Sequence, residues 1–383
     1  MSFKRFRAYS LLLLVLMGAV HAVWGQTAPG VLTYHSTSRG GGVHRILAQG
    51  DFIFAAEGSS LVVYDTRTPS YQRVFEKRFC SPITDMLIHR GFLYITANHD
   101  GLSKWDLSIP IKPMIVGEYR PEDFSHAYQS VEFSGDTLFV AASGAVLMFK
   151  ELTGIGAAFS KLGEFAVQPA GKGRIVCGLP LGKNYIAAIV GKEKGLGQGI
   201  HAYRVSPEIR LNFHQYESGE TEGLIAVPRS ERVIAFGGRS NAGRSLVMGL
   251  DFKDPAHPEQ FWVDSIGAGV AGAAIQSGLI QGDTLLVPYE GSRAGGCPSA
   301  GGVMLYSLRN PAQVKCIGQV PLPQVPLHIA LSGRRLHVAM GDYGIVSFDL
   351  GRWKPGACEP LSEVGRSQAS GGYCLELMPS TTN

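Results

Sequence analysis

The feature that most limits what this chain can fold into is a repeat. The stretches FIFAAEGSSLVVYDTRTP (52–69) and FLYITANHDGLSKWDLSIP (92–110) share one internal order: strand, Gly-containing turn, strand, Asp, three residues, Pro. The same order recurs five more times. Its second strands are LVVYD, LSKWD, AVLMFK, IHAYR, LVMGLD, VMLYS and IVSFD, ending at Asp65, Asp106, Lys150, Arg204, Asp251, Ser307 and Asp349, at intervals of 41 to 56 residues. Upstream of each pair lies a further strand, set off by a polar turn such as AQGD (48–51), SGD (134–136) or QGD (281–283). Gly beside a polar residue supplies the backbone angles of a tight hairpin. Downstream, Pro69, Pro110, Pro207, Pro255 and Pro311 mark the turn into a fourth, outer strand, because Pro cannot donate to a sheet ladder.

Four antiparallel strands per unit, seven units, and a period in the forties predict an all-β, seven-bladed β-propeller over 43–350. A single such sheet cannot bury both faces, whereas a ring packs each blade against two neighbours. The composition agrees: 49 Gly and 21 Pro in 383 residues, with no long stretch of helical period. Residues 26–42 form a lead and 351–383 a tail. Blade seven shows no fourth strand directly after IVSFDL, so either YCLELM (373–378) or VLTY (31–34) is expected to close the ring.

The motif LVVYD with its Asp-x-x-x-Pro continuation resembles the LVIVD-repeat family, β-propellers of exported or surface-associated bacterial type. The resemblance covers about 43–350 and is clearest where Asp65, Asp106, Asp251 and Asp349 keep the acidic residue. It implies a binding propeller and carries over no catalytic residue. The Asp itself reads as structural, accepting backbone hydrogen bonds in the turn before Pro.

The N-terminus reads as a secretory signal over 1–25. Lys4, Arg5 and Arg7 precede an uncharged apolar run of 13 residues from Ala8 to Val20, with cleavage after Ala22 or Gly25. That run is short against the roughly 20 residues of a membrane span, so no membrane insertion is expected after cleavage. Removing the three basic residues leaves 32 basic against 31 acidic side chains. A nearly neutral mature chain has no general attraction for nucleic acid or anionic lipid. Export permits disulfides, and Cys297–Cys316 and Cys358–Cys374 are the favoured pairs, with Cys80 and Cys177 as thiols.

Ligands of propellers are expected at the loop-bearing mouth of the central channel. The inner-hairpin loops place Glu57, His99, Asp100, Tyr289, Glu290 and Asp342 there, while His44, His126, Glu222 and His328 lie near the starts of innermost strands. NHDG (98–101) is the sharpest cluster, an Asp-Gly turn whose His and Asp have the chemistry for proton transfer or a metal. The insertions GKEKGLGQG (191–199) and GSRAGGCPSAGG (291–302) make blades four to six the expected recognition rim. No nucleophile elbow, zinc-protease or calcium-loop pattern occurs, and no cofactor is expected. The reading is an exported, non-catalytic module for a protein, peptide or glycan partner. The alternative is a hydrolase or lyase with a carboxylate and histidine site at the channel mouth.

Overall fold

A computed structural model describes residues 42–120, 127–151, 159–166, 173–191, 199–205, 215–216, 221–239, 245–266, 278–289, 301–322, 325–350 and 363–367. It is a seven-bladed β-propeller of four-stranded antiparallel blades. The innermost strands are Val43–Gln49, Ile83–His89, Tyr128–Ser134, Gly173–Leu181, Thr221–Ala226, Leu279–Gln281 and His328–Ser332. Every blade is built from four consecutive strands, so none mixes strands from the two ends of the chain.

The two middle strands of each blade are buried almost throughout. In blade one, Phe52–Glu57 and Ser60–Asp65 hold Ile53, Phe54, Ala55, Ala56, Leu61, Val62 and Val63 fully out of solvent. Near-continuous apolar runs are what a strand covered on both faces requires, and they explain why those strands are the most visible in the sequence. Outer strands such as Glu259–Ile266 face solvent on one side and carry mixed residues.

The turn chemistry follows the expected glycines. Gly50, Gly135, Gly182, Gly282 and Gly333 have φ of 57° to 60° at the first position of two-residue hairpins, as a type II′ turn demands. Blade two instead uses Arg90 and Gly91, with φ of 49° and 81°, the pattern of a type I′ turn. The repeat Asp is structural, as read: Asp65, Asp106 and Asp251 each accept from the backbone N–H two residues on, at 3.0, 2.8 and 3.1 Å. In blade six Ser307 Oγ takes the same role at 3.4 Å.

Ring closure differs from the expectation. Glu363–Ser367 supplies the fourth strand of blade seven, pairing antiparallel with Ile345–Asp349. The two segments expected in that role, 31–34 and 373–378, lie outside the described residues, as does the expected leader over 1–25. The spacing obscured this strand, because 13 residues separate it from its neighbour where the other blades use 4 to 10. Its far edge meets blade one in parallel, Arg366 opposite Ser70 and Ser367 opposite Tyr71. At the channel the seam is fastened by Val43 and Gly341, which exchange backbone hydrogen bonds of 2.9 and 3.0 Å. A Cβ on Gly42 would sit 2.6 Å from the Gly341–Asp342 backbone, so only glycine permits this approach.

The favoured Cys297–Cys316 bridge is not formed. Cys316 is an exposed, free thiol opposite Tyr306, five residues along the sheet from Gly301, where the 290–300 loop re-enters the blade. Cys80 is also a free thiol and Cys177 is not in a disulfide; Cys297, Cys358 and Cys374 lie outside the described residues.

Candidate functional site at the channel mouth

Five of the seven innermost strands enter the channel with the same irregularity. Register shifts fall between Val43 and Arg45, Ile83 and Asp85, Tyr128 and Ser130, Ile175 and Cys177, and Thr221 and Gly223. Each shift is a β-bulge that inserts one extra residue: His44, Thr84, Gln129, Val176 and Glu222. A bulge re-aims the side chains at the start of a strand, and its recurrence at the same place in five blades makes it part of the architecture.

Bulge residues and their successors reach sideways to the next blade. His44 Nε2 donates to Ile83 O (2.8 Å), which fixes the proton on that nitrogen. Arg45 Nη1 donates to Thr84 O (2.7 Å) and lies 3.1 Å from Asp85 Oδ1. Thr84 Oγ1 donates to Tyr128 O (2.7 Å), Asp85 Oδ2 accepts from Val131 N (3.0 Å), and Ser130 Oγ accepts from Gly178 N (3.2 Å). These bonds form a lateral belt across the first four blades, from one innermost strand to the next.

Below the bulges two layers follow. Arg45, Asp85, Ser130, Cys177 and His328 occupy equivalent positions, each four residues before the end of its strand. Two residues deeper the equivalents are Leu47, Leu87, Glu132, Leu179 and Ala330, so Glu132 is the acidic exception in an apolar layer. These elements enclose a cavity of ≈ 290 Å³ whose lining includes His44, Arg45, Asp85, Gln129, Glu132, Val176, Cys177 and His328.

Burial dominates the electrostatics. It pushes the Glu132 carboxyl up to about 8, with the nearby Asp85 charge acting in the same direction and Arg45 opposing. Asp85 is raised by burial against the pull of Arg45 and its two backbone donors. His44 is lowered by burial, and His328 well below its ordinary range by burial and then the Arg45 charge. Among the described lining groups, burial therefore favours the neutral forms of Glu132, His44 and His328, while Arg45 faces Asp85 at 3.1 Å.

The anticipated residues divide. His328 and His44 line the cavity; Glu222 sits at a bulge there, its side chain outside the described residues, as are His126 and Glu290. His99 and Asp342 are exposed. Asp100 is held in a turn, where its Oδ2 accepts from Cys80 N (2.6 Å) and Ser81 N (2.9 Å). The NHDG segment is thus a capped turn. Tyr289 is buried in the blade with its hydroxyl accepting from Gln319 Nε2, and Glu57 is buried in blade one between Tyr64 and Arg73. Among the described residues no cluster of three or more His, Cys, Asp or Glu has the arrangement of a metal site. The residues that sequence reasoning missed are Arg45, Asp85 and Glu132.

No protein-family profile and no curated protein sequence matches the chain. Solved structures match its fold. A functionally unknown protein from Desulfotomaculum acetoxidans aligns with TM-score 0.58 at 10% identity, covering 85% of this chain and 96% of that one. Sqt1 of Saccharomyces cerevisiae aligns with TM-score 0.57 at 10% identity, covering 92% and 93%. The computationally designed protein Ika8 aligns with TM-score 0.53 at 11% identity, covering 88% and 92%. Identities this low speak for the fold alone.

Proposed function

We propose that this chain is an exported, non-catalytic β-propeller of LVIVD-repeat type that binds a protein, peptide or glycan partner through one face. The observation that carries the reading is where the long connections leave the sheet. The chain departs from Gly191 and returns at Gly199 in blade four, and departs from Tyr289 and returns at Gly301 in blade six. Gly191 pairs with Gly173 at the start of its innermost strand, so these insertions emerge at the channel-mouth end. Insertions collected on one face of a repeat array are how such folds present a recognition surface. The polar groups of the belt support the same reading, since they are engaged in joining blades.

The test is a cross-linking capture from intact cells with the tagged mature chain, followed by mass spectrometry. A single retained partner, lost when 191–199 and 291–300 are shortened, is the expected result. Retention that is indifferent to both loops would refute the assignment of this face. N-terminal sequencing of the exported chain checks the leader: a start at Val23 or Gln26 is expected, and an intact Met1 refutes cleavage.

A further inference from the structure

The channel cavity has a chemistry that the belt does not use up. From the geometry we infer that it is a binding site for one small, neutral, hydroxyl-rich molecule of about the size of a single sugar ring or cyclic polyol. This goes beyond the rim reading and does not depend on it, because the cavity belongs to the innermost strands and not to the inserted loops.

Size comes first. A volume of ≈ 290 Å³ is at the lower end of ligand pockets and accommodates a monosaccharide with little to spare. Charge comes second. Arg45 and Asp85 face each other at 3.1 Å, and among the other described lining groups burial favours the uncharged forms of Glu132, His44 and His328. Tyr185, which borders the cluster behind Ser130, is held neutral by burial. An ion entering this space would lose its hydration without meeting an opposite charge, which is expensive. A neutral ligand incurs no such penalty.

Hydrogen-bonding capacity comes third. The protonated Glu132 carboxyl offers one O–H donor and an acceptor, and Arg45 has N–H groups beyond those bonded to Thr84 and Asp85. The Gln129 amide makes only a long 3.4 Å contact to Ala127 O. Mixed donors and acceptors beside the apolar walls of Val176, Leu224 and Leu327 match alternating hydroxyl and C–H surface. The position of Glu132 is itself an argument. Equivalent strands carry Leu47, Leu87 and Leu179 there, and an acid in that layer gives up packing that leucine provides.

The test is saturation-transfer NMR and calorimetry on the full mature chain with D-glucose, D-galactose, D-mannose and myo-inositol, each at about 10 mM, beside putrescine and inorganic phosphate. At least one neutral probe is expected to bind. Val176→Phe, which fills the cavity from its wall, should weaken that binding at least about tenfold, and Glu132→Leu, which removes the donor and acceptor and restores the leucine of the equivalent strands, should weaken it likewise. Circular dichroism and melting of both variants establish that they are folded; should Val176→Phe fail to fold, Val176→Leu with Leu224→Phe replaces it. No binding by any neutral probe overturns the inference, as does binding that the filled cavity leaves unchanged. Preferential binding of putrescine or phosphate, abolished by the filling variant, overturns the neutral-ligand assignment. Loss of the rim partner in the capture experiment leaves this result untouched, so the two readings fail separately.

Discussion

Asp85→Ala tests the belt most directly. The Asp85 side chain is 9% exposed and serves three partners: Arg45 at 3.1 Å, Met86 N at 2.6 Å and Val131 N at 3.0 Å. Truncation removes all of them. An orphaned buried N–H costs about 1–3 kcal/mol, and breaking one side of a buried ion pair about 3–5 kcal/mol. These costs overlap here, because Arg45 is 26% exposed and keeps its bond to Thr84 O, so the sum is closer to 3–5 kcal/mol than to their total. With an unfolding entropy of about 2.1 cal/mol/K per residue over the roughly 250 described residues, the melting temperature should fall by about 6–10 °C. Urea unfolding followed through Trp105 and Trp262 reads the stability, and amide exchange at Val131 reads the bond itself. The Asp85→Leu, Arg45→Met pair should recover more than half of the loss, since no charge is then left unpaired. A stability within about 1 kcal/mol of wild type, or an unchanged Val131 exchange rate, would mean that the belt does not hold blades two and three together.

Three further outcomes follow from buried charge. Lys104, 2% exposed, reaches Glu151 at 2.8 Å from blade two to blade three, where Tyr94 also donates to that carboxylate. Glu151→Gln should destabilise by about 3 kcal/mol and Lys104→Met by at least about 1 kcal/mol less, measured by denaturant melts; the reverse order would refute a buried ammonium held by its carboxylate. His337 is fully buried, with Nδ1 2.6 Å from Ser347 Oγ, and burial lowers it to about 4. The unfolded chain takes up that proton first, so stability is lost as pH falls from 6.5 through 4, and His337→Leu should flatten that limb by about 2–3 kcal/mol at its foot. Glu132 has the opposite sign: its raised value stabilises below the ordinary carboxyl range and that contribution is lost as pH rises through about 8. Glu132→Gln should therefore gain on wild type by a few kcal/mol between pH 5 and 9; parallel pH profiles would refute the shifted carboxyl.

The architecture was legible because its signal is redundant. Two buried middle strands per blade give apolar runs such as FLYITA and TLFVAA, and the II′ turns give a glycine at a fixed offset in five blades. The site was less legible for a local reason. His99, Asp100 and Asp342 attract attention as polar residues beside glycines, yet glycine there marks the turn: Gly101 has φ of 86°, and Asp100 is spent on two backbone amides. The groups that face the channel lie one to four residues inside the innermost strands, beyond a bulge that shifts the alternation that sequence reading relies on. One signal was available. With the hairpin turns superposed, Glu132 aligns with Leu47, Leu87 and Leu179, and a lone acid in an apolar column marks a position that packing does not explain. The closing strand 363–367 had no such column, since its distance from blade seven breaks the period.

The seam between blades seven and one shows how a ring without shared strands stays shut. Bringing the ends of roughly 300 residues together costs on the order of 5 kcal/mol in chain entropy by loop-closure scaling. The seam core joins Val43, Ile46, Ile53 and Tyr71 of blade one to Ala330, Ala339 and Ile345 of blade seven. Burying a large aliphatic side chain contributes about 1.5–3 kcal/mol, so three or four of these suffice to offset closure. The polar contacts then have a different task. The Val43–Gly341 pair, Ser332 Oγ to Gly50 O (3.0 Å) and Arg335 Nη1 to Thr66 O (3.2 Å) are directional, and they fix the register in which the two blades meet. The belt at the mouth does the same for blades one to four. Apolar packing closes the propeller, and hydrogen bonds at its inner edge set the shape of the channel that a ligand meets.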